Sequence, residues 1–372
     1  MRGLTWDHPR GYAPLDELTR LDHTGANPYG AVPEPIEWDR QPLEGFESEP
    51  IARLCETYDV LVIDHPGLGA ALDALVPMEE LFEPTELAEL AGPAGLRFAG
   101  RSYESYRLDG RQWALPLDAA TQVAAARPGV RLPRTWPEVA ELSAGTRTAL
   151  CLGGPHAFLM FCALCGPTRP GDFLDERAGE RALELMAELL ALSDPEVSLL
   201  NPIGVLDAMT AGRVDFCPLL YGYVTYPLAF GDAPAWPGHP PGSVLGGTGL
   251  VVSRQRLSAN LSANLSANSG AGSGANRDAI RAHLLRLVSE PVQAELFPSA
   301  GGQPAARSVW TEGGTGFYRD TLATMEAAWI RPRFPGYIAA QERSSALIRD
   351  GLLARTPARD LLKTLHEEWR TP

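Results

Sequence analysis

The chain has few cysteines, no long apolar run and no excess of basic residues, and each absence excludes a class of protein. Its five cysteines are an odd number, scattered over 372 residues, so they do not form a disulfide framework. No segment approaches the roughly 18–20 consecutive apolar residues of a membrane span. The formal net charge of −14 would be repelled by phosphate backbones and anionic lipids, so neither nucleic acid nor a membrane is an expected partner.

The N-terminus also lacks the basic and apolar regions of a secretion signal, because Asp7 interrupts the first apolar run. As the sequence stands we expect a cytoplasmic protein, whereas a removed signal would imply a periplasmic or extracellular one. With 45% hydrophobic and 21% charged residues, the composition is that of a globular chain. The length is sufficient for two domains of ordinary size.

The tripeptide Asp-His-Pro occurs twice, in LTWDHP and LVIDHP, each time directly after a short apolar run. The first 115 residues alternate strand and helix patterns, which predicts a parallel sheet with right-handed crossovers. Ligands of such sheets bind beyond the carboxyl ends of the strands, where both tripeptides fall. The candidate ligand-binding residues at this edge are Asp7, His8, Asp64 and His65.

Other roles stay open for these four residues. One member of each pair can cap the following helix or brace the strand end through backbone hydrogen bonds. A histidine beside an aspartate can act as a general base, so catalysis by His8, His65 and Asp64 is an alternative. Carboxylates and imidazoles suit zinc or manganese. Because no ligand-spaced motif such as HExxH is present, we predict no metal and no other cofactor.

Two glycine-containing segments have simpler interpretations. Residues 257–276 repeat Leu-Ser-Ala-Asn three times and continue in Gly, Ser and Ala, which predicts a flexible surface loop. Gly246, Gly247 and Gly249 form GGTG, which lacks the lysine and the strand-to-helix context of a phosphate-binding loop. Close approach of the backbone at a hinge or cleft is the better interpretation, and Gly247 is included among the candidate ligand-binding residues.

The order of motifs resembles the extracellular solute-binding proteins of ABC importers (family 1, the sugar-binding type), over nearly the whole chain. The segments that carry the resemblance are YDVLVIDHPGLGAALDALVPMEELF, GRQWALPLDAATQVAAARPG, PRTWPEVAELS, NPIGVLDAMTAGRVDFCPLLYGY and GSVLGGTGLVVSR. Each motif alone is weak. Their order and spacing are fairly specific for the fold and much less specific for the ligand.

The resemblance implies an α/β fold of the two-lobed type II periplasmic-binding-protein kind. Each lobe would be a mostly parallel sheet flanked by helices, and a hinge would join the lobes. Lobe one would comprise residues 1–114 and 243–305, and lobe two residues 115–242 and 306–372 with the C-terminal helices. The sheet of this fold runs 2-1-3, so the two Asp-His-Pro copies would lie on neighbouring strands, about 4.8 Å apart.

The resemblance also implies acidic ligand contacts in lobe one. In sugar-binding relatives the two strand ends and the hinge supply acidic side chains that accept hydrogen bonds from hydroxyl groups. Matched to this sequence residue by residue, the resemblance makes Asp7, Asp64 and, at the hinge, Asp118 candidates for these contacts.

Aromatic and basic groups of the ligand site are implied elsewhere. Tyr221 and Tyr223 stand where the family places aromatic platforms, and at spacing two along an extended segment they would share one face. Arg331 and Arg333 lie in RPRFPGY, which resembles a segment that closes over the ligand. Guanidinium groups there would favour an anionic ligand, although salt bridges to surface carboxylates are an equal alternative.

Two functions follow from the sequence. The first is a solute-binding protein that closes two lobes over a small polar, sugar-like or anionic ligand by hinge bending, with an ABC permease as partner if the chain is exported. The second is a cytoplasmic enzyme or ligand sensor that uses the paired Asp-His groups on the same scaffold. No nucleophile motif such as GxSxG is present, and the missing secretion signal departs from the pattern of the family.

Overall fold

The structure is a computed structural model that describes residues 1–25, 27–166, 175–258, 274–312 and 316–370. The strands within these ranges, in chain order, are β1 Arg2–Trp6, β2 Glu37–Gln41, β3 Val60–Ile63, β4 Leu75–Val76, β5 Arg107–Leu108, β6 Arg111–Gln112, β7 Leu115–Ala126, β8 Phe216–Tyr221, β9 Ala229–Gly231 and β10 Leu245–Ser253. Of the predicted loop at 257–276, residues 259–273 lie outside the described residues.

The helices alternate with these strands over the first half of the chain and dominate the second half. In chain order they are α1 Pro9–Thr24, α2 Leu43–Ser48, α3 Ile51–Leu54, α4 Pro84–Ala91, α5 Ser102–Ser105, α6 Trp136–Ser143, α7 His156–Cys165, α8 Glu176–Ala191, α9 Pro202–Thr210, α10 Gly274–Leu287, α11 Phe297–Ser299, α12 Arg307–Thr311, α13 Gly316–Asp320, α14 Leu322–Ala327, α15 Tyr337–Leu353 and α16 Ala358–Arg370. None of those in the described ranges is both long and apolar enough to cross a membrane.

The chain divides into two compact units. The first contains Met1–Ala119, Gly247–Gly313 and Arg333–Pro335, and the second contains Ala120–Gly246, Gly314–Pro332 and Gly336–Pro372. Strands β7 and β10 therefore each continue from one unit into the other, and the short segment 333–335 returns to the first unit before α15 begins.

Residues 306–312 lie in the first unit and not with the second lobe, where the resemblance placed them. Two backbone contacts are responsible. Ala306 forms a β-bridge with Phe98, and the N–H of Arg307 donates to the carbonyl oxygen of Arg97 at 2.9 Å. Helix α12 is thereby attached to the segment that precedes α5.

The sheet of the first unit begins with three parallel strands. Its order is β2-β1-β3-β10, so the predicted 2-1-3 arrangement is confirmed. β1 pairs in parallel with both of its neighbours, whereas β10 is antiparallel to β3. All four residues of β3, VLVI, are buried, as expected for a parallel strand that is covered on both faces.

The second unit is built around the buried second half of β7. Strands β8 and β9 both pair with β7 in antiparallel register, and parallel pairing among the described residues of this unit occurs as isolated bridges. Helix α7, HAFLMFCALC, is apolar on all sides and is buried at nine of its positions, as expected for a core helix. It packs against α8 and α15. None of the five cysteines forms a disulfide.

Candidate functional site

The two Asp-His-Pro copies lie at equivalent positions on neighbouring parallel strands of the first unit. Gly3 pairs with Val60 and Leu4 with Leu61. The same register carries Asp7 to the level of Asp64, at the carboxyl edge of the sheet. The two copies nevertheless use their side chains differently.

In the first copy, the histidine caps the following helix. His8 has extended backbone angles, and its Nδ1 accepts a hydrogen bond of 3.1 Å from the N–H of Arg10. It thus satisfies a donor in the first turn of α1, and it is buried. The carboxylate of Asp7 is 59% exposed and lies 3.8 Å from the guanidinium of Arg40. The cap, one of the roles left open by the sequence, is the role seen for His8.

In the second copy, the aspartate is the cap and the histidine is buried. Asp64 precedes a 3-10 helix, His65–Ala70, and its Oδ1 accepts the N–H of His65 at 2.8 Å. The His65 side chain is 0% exposed, with its Nδ1 3.1 Å from the same carboxylate oxygen. It meets the ring of Tyr106 edge-on, with ring centroids 6.2 Å apart. The His65 ring is thus withdrawn from solvent, whereas the Asp64 side chain is 21% exposed.

A buried ion pair lies close to Asp64. Nε of Arg10 donates to Oδ2 of Asp118 at 2.8 Å, and Nη2 donates to Oδ1. The two side chains are 4% and 2% exposed. Burial raises the pKa of the Asp118 carboxyl, the charge of Arg10 opposes this rise, and the nearby carboxylate of Asp64 adds to it. The structure thus groups Asp118 with Asp64, and much of the hydrogen-bonding capacity of Asp118 is used by Arg10.

Strand β10 brings two further residues to this edge. Gly249 pairs with Ile63 in the antiparallel register, so one position farther out Thr248 lies opposite Asp64. Thr248 is 3% exposed, and no described residue forms a hydrogen bond with its hydroxyl group. Gly247 has φ +94°, a conformation that residues with a Cβ rarely adopt. A backbone requirement thus accounts for the glycine at position 247.

In the second unit, Tyr221 ends strand β8 with a partly exposed ring. The ring packs against Gly246, where an added Cβ would lie 2.5 Å from Cε1, and it meets the ring of His156 edge-on at 5.8 Å. His156 begins α7 and is buried. Burial, together with the charge of Arg331, lowers the pKa of His156 to about 3, so the ring is neutral at physiological pH. These side chains form one polar cluster.

Tyr223 does not share the accessible face of Tyr221. It is 5% exposed and packs in the apolar core beneath β8. It meets Tyr226 edge-on at 6.3 Å, and the Tyr226 hydroxyl donates to Oδ1 of Asp207. The strand ends at Tyr221, so the alternation of faces that the prediction assumed does not extend to position 223.

The two arginines of RPRFPGY belong to different units. Arg331 lies in the second unit and is 4% exposed. Arg333 lies in the first unit, where its Nη1 donates to the carbonyl oxygens of Glu104 and Ser105 at 3.1 and 2.8 Å. A Cβ on Gly69 would lie 1.5 Å from the carbonyl oxygen of Arg333. The side chain of Arg333 thus fixes its own segment, residues 333–335, to the first unit.

Three residues of the site were not predicted from sequence: Arg10, His156 and Thr248. A signal for Arg10 exists, because Arg10, Pro14 and Leu18 recur at helical spacing and form the buried stripe of α1. A charge on such a stripe requires a buried partner. No comparable signal marks Thr248, since its position opposite Asp64 depends on strand pairing. Throughout the described ranges, no three or more His, Cys, Asp or Glu side chains are placed to hold a metal ion.

No protein-family model and no curated protein matches the chain. Solved structures match it over nearly its full length. A maltose-bound MalE3 of T. maritima is 16% identical, with 100% of this chain and 98% of that chain covered and a TM-score of 0.78. A ribitol-bound solute-binding protein of Agrobacterium radiobacter K84 is 16% identical, with 99% and 97% covered and a TM-score of 0.71.

A third similar structure is UgpB of Mycobacterium tuberculosis in complex with glycerophosphocholine. It is 13% identical, with 99% of this chain and 97% of that chain covered and a TM-score of 0.70. At such low identity these likenesses concern the fold. They confirm the α/β fold of two-lobed periplasmic binding proteins that the sequence predicted.

Proposed function

We propose that this protein is a solute-binding protein that closes its two units over a small polar ligand of the sugar or polyol class. One observation carries the proposal. At the carboxyl edge of the first unit's sheet, the partly exposed carboxylate of Asp64 lies within electrostatic reach of the buried pair of Arg10 and Asp118. This edge is where open α/β sheets bind ligands. Four of the similar structures hold maltose, tagatose, ribitol and mannitol, which supports this ligand class.

The chemistry of this edge suits hydroxyl groups. An ionised carboxylate only accepts hydrogen bonds, and a hydroxyl group is a neutral donor that satisfies it without bringing a second charge. Asp64 is already oriented by the N–H of His65, and the neighbouring Arg10–Asp118 pair is fixed by two hydrogen bonds. A ligand therefore meets a site whose geometry is set before binding, which reduces the entropic cost of association.

The second unit would contribute an aromatic surface and a positive charge. The partly exposed ring of Tyr221 can pack against the apolar face of a sugar, and its hydroxyl can bond at the ring edge. Arg331 supplies the charge of the adjacent cluster, since His156 is neutral. We therefore keep Arg331, and not Arg333, as the candidate for an anionic group on the ligand.

A role in import would add a permease and a location outside the cytoplasm. We propose an ABC permease as the partner in that case, and a periplasmic or extracellular site of action. The alternative of an enzyme relied on His8 and His65 as general bases. Both rings are buried, and Nδ1 of His8 already accepts a hydrogen bond, so no observation favours this alternative.

Isothermal titration calorimetry with maltose, tagatose, ribitol and mannitol tests the proposal. At least one of these should bind, and Asp64→Asn should weaken its binding by about tenfold or more, as expected for the loss of a charged hydrogen bond. Asp39→Asn is the matched control, because the Asp39 carboxylate lies in the middle of β2 and is already paired with Arg2. It should bind as the wild type does. If none of the four binds, or if Asp64→Asn changes nothing, the proposal fails.

A further inference from the structure

Thr248 is a buried polar residue for which the fold supplies no partner. Its side chain is 3% exposed, and its hydroxyl oxygen forms no hydrogen bond within the described ranges. Burying an unsatisfied hydroxyl costs free energy, and valine would fill nearly the same volume without that cost. Such exceptions in a folded protein require an explanation.

Other buried hydroxyl groups of the same sheet do have partners. Ser253, at the far end of β10, donates to the carbonyl oxygen of Cys55 at 2.6 Å. Thr5, on β1, donates to the carbonyl oxygen of Gly11 at 3.3 Å. The lack of a partner is thus a particular feature of Thr248 and not of hydroxyl groups in this sheet.

The position of Thr248 connects it with the proposed ligand site. It follows Gly247 and lies one position beyond the last pair of β10 and β3, Gly249 and Ile63, so that the continued register brings it opposite Asp64. Opposite residues of an antiparallel pair project to the same face, with Cβ atoms about 4.5–5.5 Å apart. Asp118, whose pKa is raised in part by the charge of Asp64, is the third member of this group. The unsatisfied hydroxyl therefore stands beside the one accessible carboxylate of the group.

We propose that Thr248 is a ligand-positioning residue, whose hydroxyl pairs with a second hydroxyl group of the ligand beside the one held by Asp64. A threonine hydroxyl both donates and accepts, so it can bond a sugar or polyol hydroxyl in either direction. The free energy lost by burying it in the empty protein is recovered on binding. This inference rests on the proposed function and specifies how the first unit selects polyhydroxylated ligands.

Thr248→Val is the decisive variant, because it removes the hydroxyl and keeps the shape. Its affinity for the ligand of the panel (maltose, tagatose, ribitol or mannitol) that binds the wild type should fall by about tenfold, the size of one hydrogen bond. Thr248→Ser, which restores the hydroxyl, should bind within about threefold of the wild type. Without ligand, Thr248→Val should unfold at the same or a higher urea concentration.

Thr5→Val provides the matched control, because it removes a buried hydroxyl that does have a partner. It should unfold at a lower urea concentration and keep the wild-type affinity. A wild type that binds a panel ligand while Thr248→Val binds it equally well overturns the inference and leaves the proposed function standing. A clear loss of stability in Thr248→Val without ligand also overturns it, since the hydroxyl would then have a structural partner. If the wild type binds no panel member, the proposed function itself fails.

Discussion

Arg10 and Asp118, 108 positions apart in the chain, form an almost completely buried ion pair with two hydrogen bonds. The pair joins the first turn of α1 to β7, close to the accessible carboxylate of Asp64. Removing one partner leaves the other charge buried without compensation, which costs far more than the pair itself contributes. The pair therefore holds this edge of the first unit in one geometry.

Arg10→Met should lower the free energy of unfolding by about 3–5 kcal/mol, measured by urea denaturation at pH 7. The double variant Arg10→Met/Asp118→Leu should recover a large part of this loss, because no charge is then left buried alone. A loss below about 1 kcal/mol in the single variant, the value for an exposed pair, would contradict the burial on which the prediction rests.

Gly69→Ala should release the segment 333–335 from the first unit. The added Cβ would lie 1.5 Å from the carbonyl oxygen of Arg333, so the backbone must move, at a cost of about 1–3 kcal/mol or more. The matched control is Gly45→Ala in α2, where the added Cβ would lie 3.5 Å from Oε1 of Gln41, an ordinary contact. Alanine there should leave stability unchanged or raise it by up to about 1 kcal/mol. Equal effects of the two variants in urea denaturation would rule out the close approach.

Gly247→Ala should destabilise the protein through backbone strain alone. A Cβ at φ +94° costs about 1–3 kcal/mol in sparsely populated backbone regions. Gly145→Ala is the control, because Gly145 lacks a positive φ and a Cβ there meets open space. Thermal unfolding of the two variants provides the comparison, and a Gly247→Ala melting temperature equal to that of Gly145→Ala would show that the strain is relieved.

The order of strands was predictable from sequence, whereas the roles of individual side chains were not. Alternating strand and helix patterns are local and predicted a parallel sheet, and the family resemblance supplied the 2-1-3 order that places β1 beside β3. The roles of His8 and His65 depend on what covers them. His8 caps a full helix, whereas His65 is covered by Tyr106, which comes 41 residues later in the sequence. Two identical tripeptides therefore serve different purposes.

For the remaining site residues too, the sequence did not specify what each side chain contacts. The face shared by Tyr221 and Tyr223 was inferred from strand alternation, which fails because β8 ends at Tyr221. Arg10 could have been found, since it lies on the buried stripe of its helix. Its partner Asp118 could not be paired with it, because 108 residues separate the two and nothing in either segment specifies the other.

Alanine substitutions should separate the two tyrosines by their effects. Tyr223→Ala removes a core ring that is 5% exposed and should cost about 3–5 kcal/mol in unfolding free energy. Tyr221→Ala should cost less stability, because its ring is partly exposed, but it should weaken sugar binding in calorimetry. Loss of affinity in a folded Tyr223→Ala equal to that in Tyr221→Ala would contradict the assignment of Tyr223 to the core.

Stability should fall in acid because two buried histidines resist protonation. The pKa of His156 is lowered to about 3 by burial and by the charge of Arg331, and that of His283 to about 4, mainly by burial. The two histidines bind protons near pH 6.5 in the unfolded chain but not in the folded protein. Their contribution to the free energy of unfolding is therefore complete above pH 6.5 and is lost as the pH falls toward 3–4. Over this range each histidine lowers the free energy of unfolding by up to about 1.4 kcal/mol for each pH unit of acidification.

Urea denaturation from pH 7 to pH 4.5 tests this contribution. The free energy of unfolding should decline less steeply for His156→Gln than for the wild type, and equal slopes would mean that His156 is protonated in the folded protein.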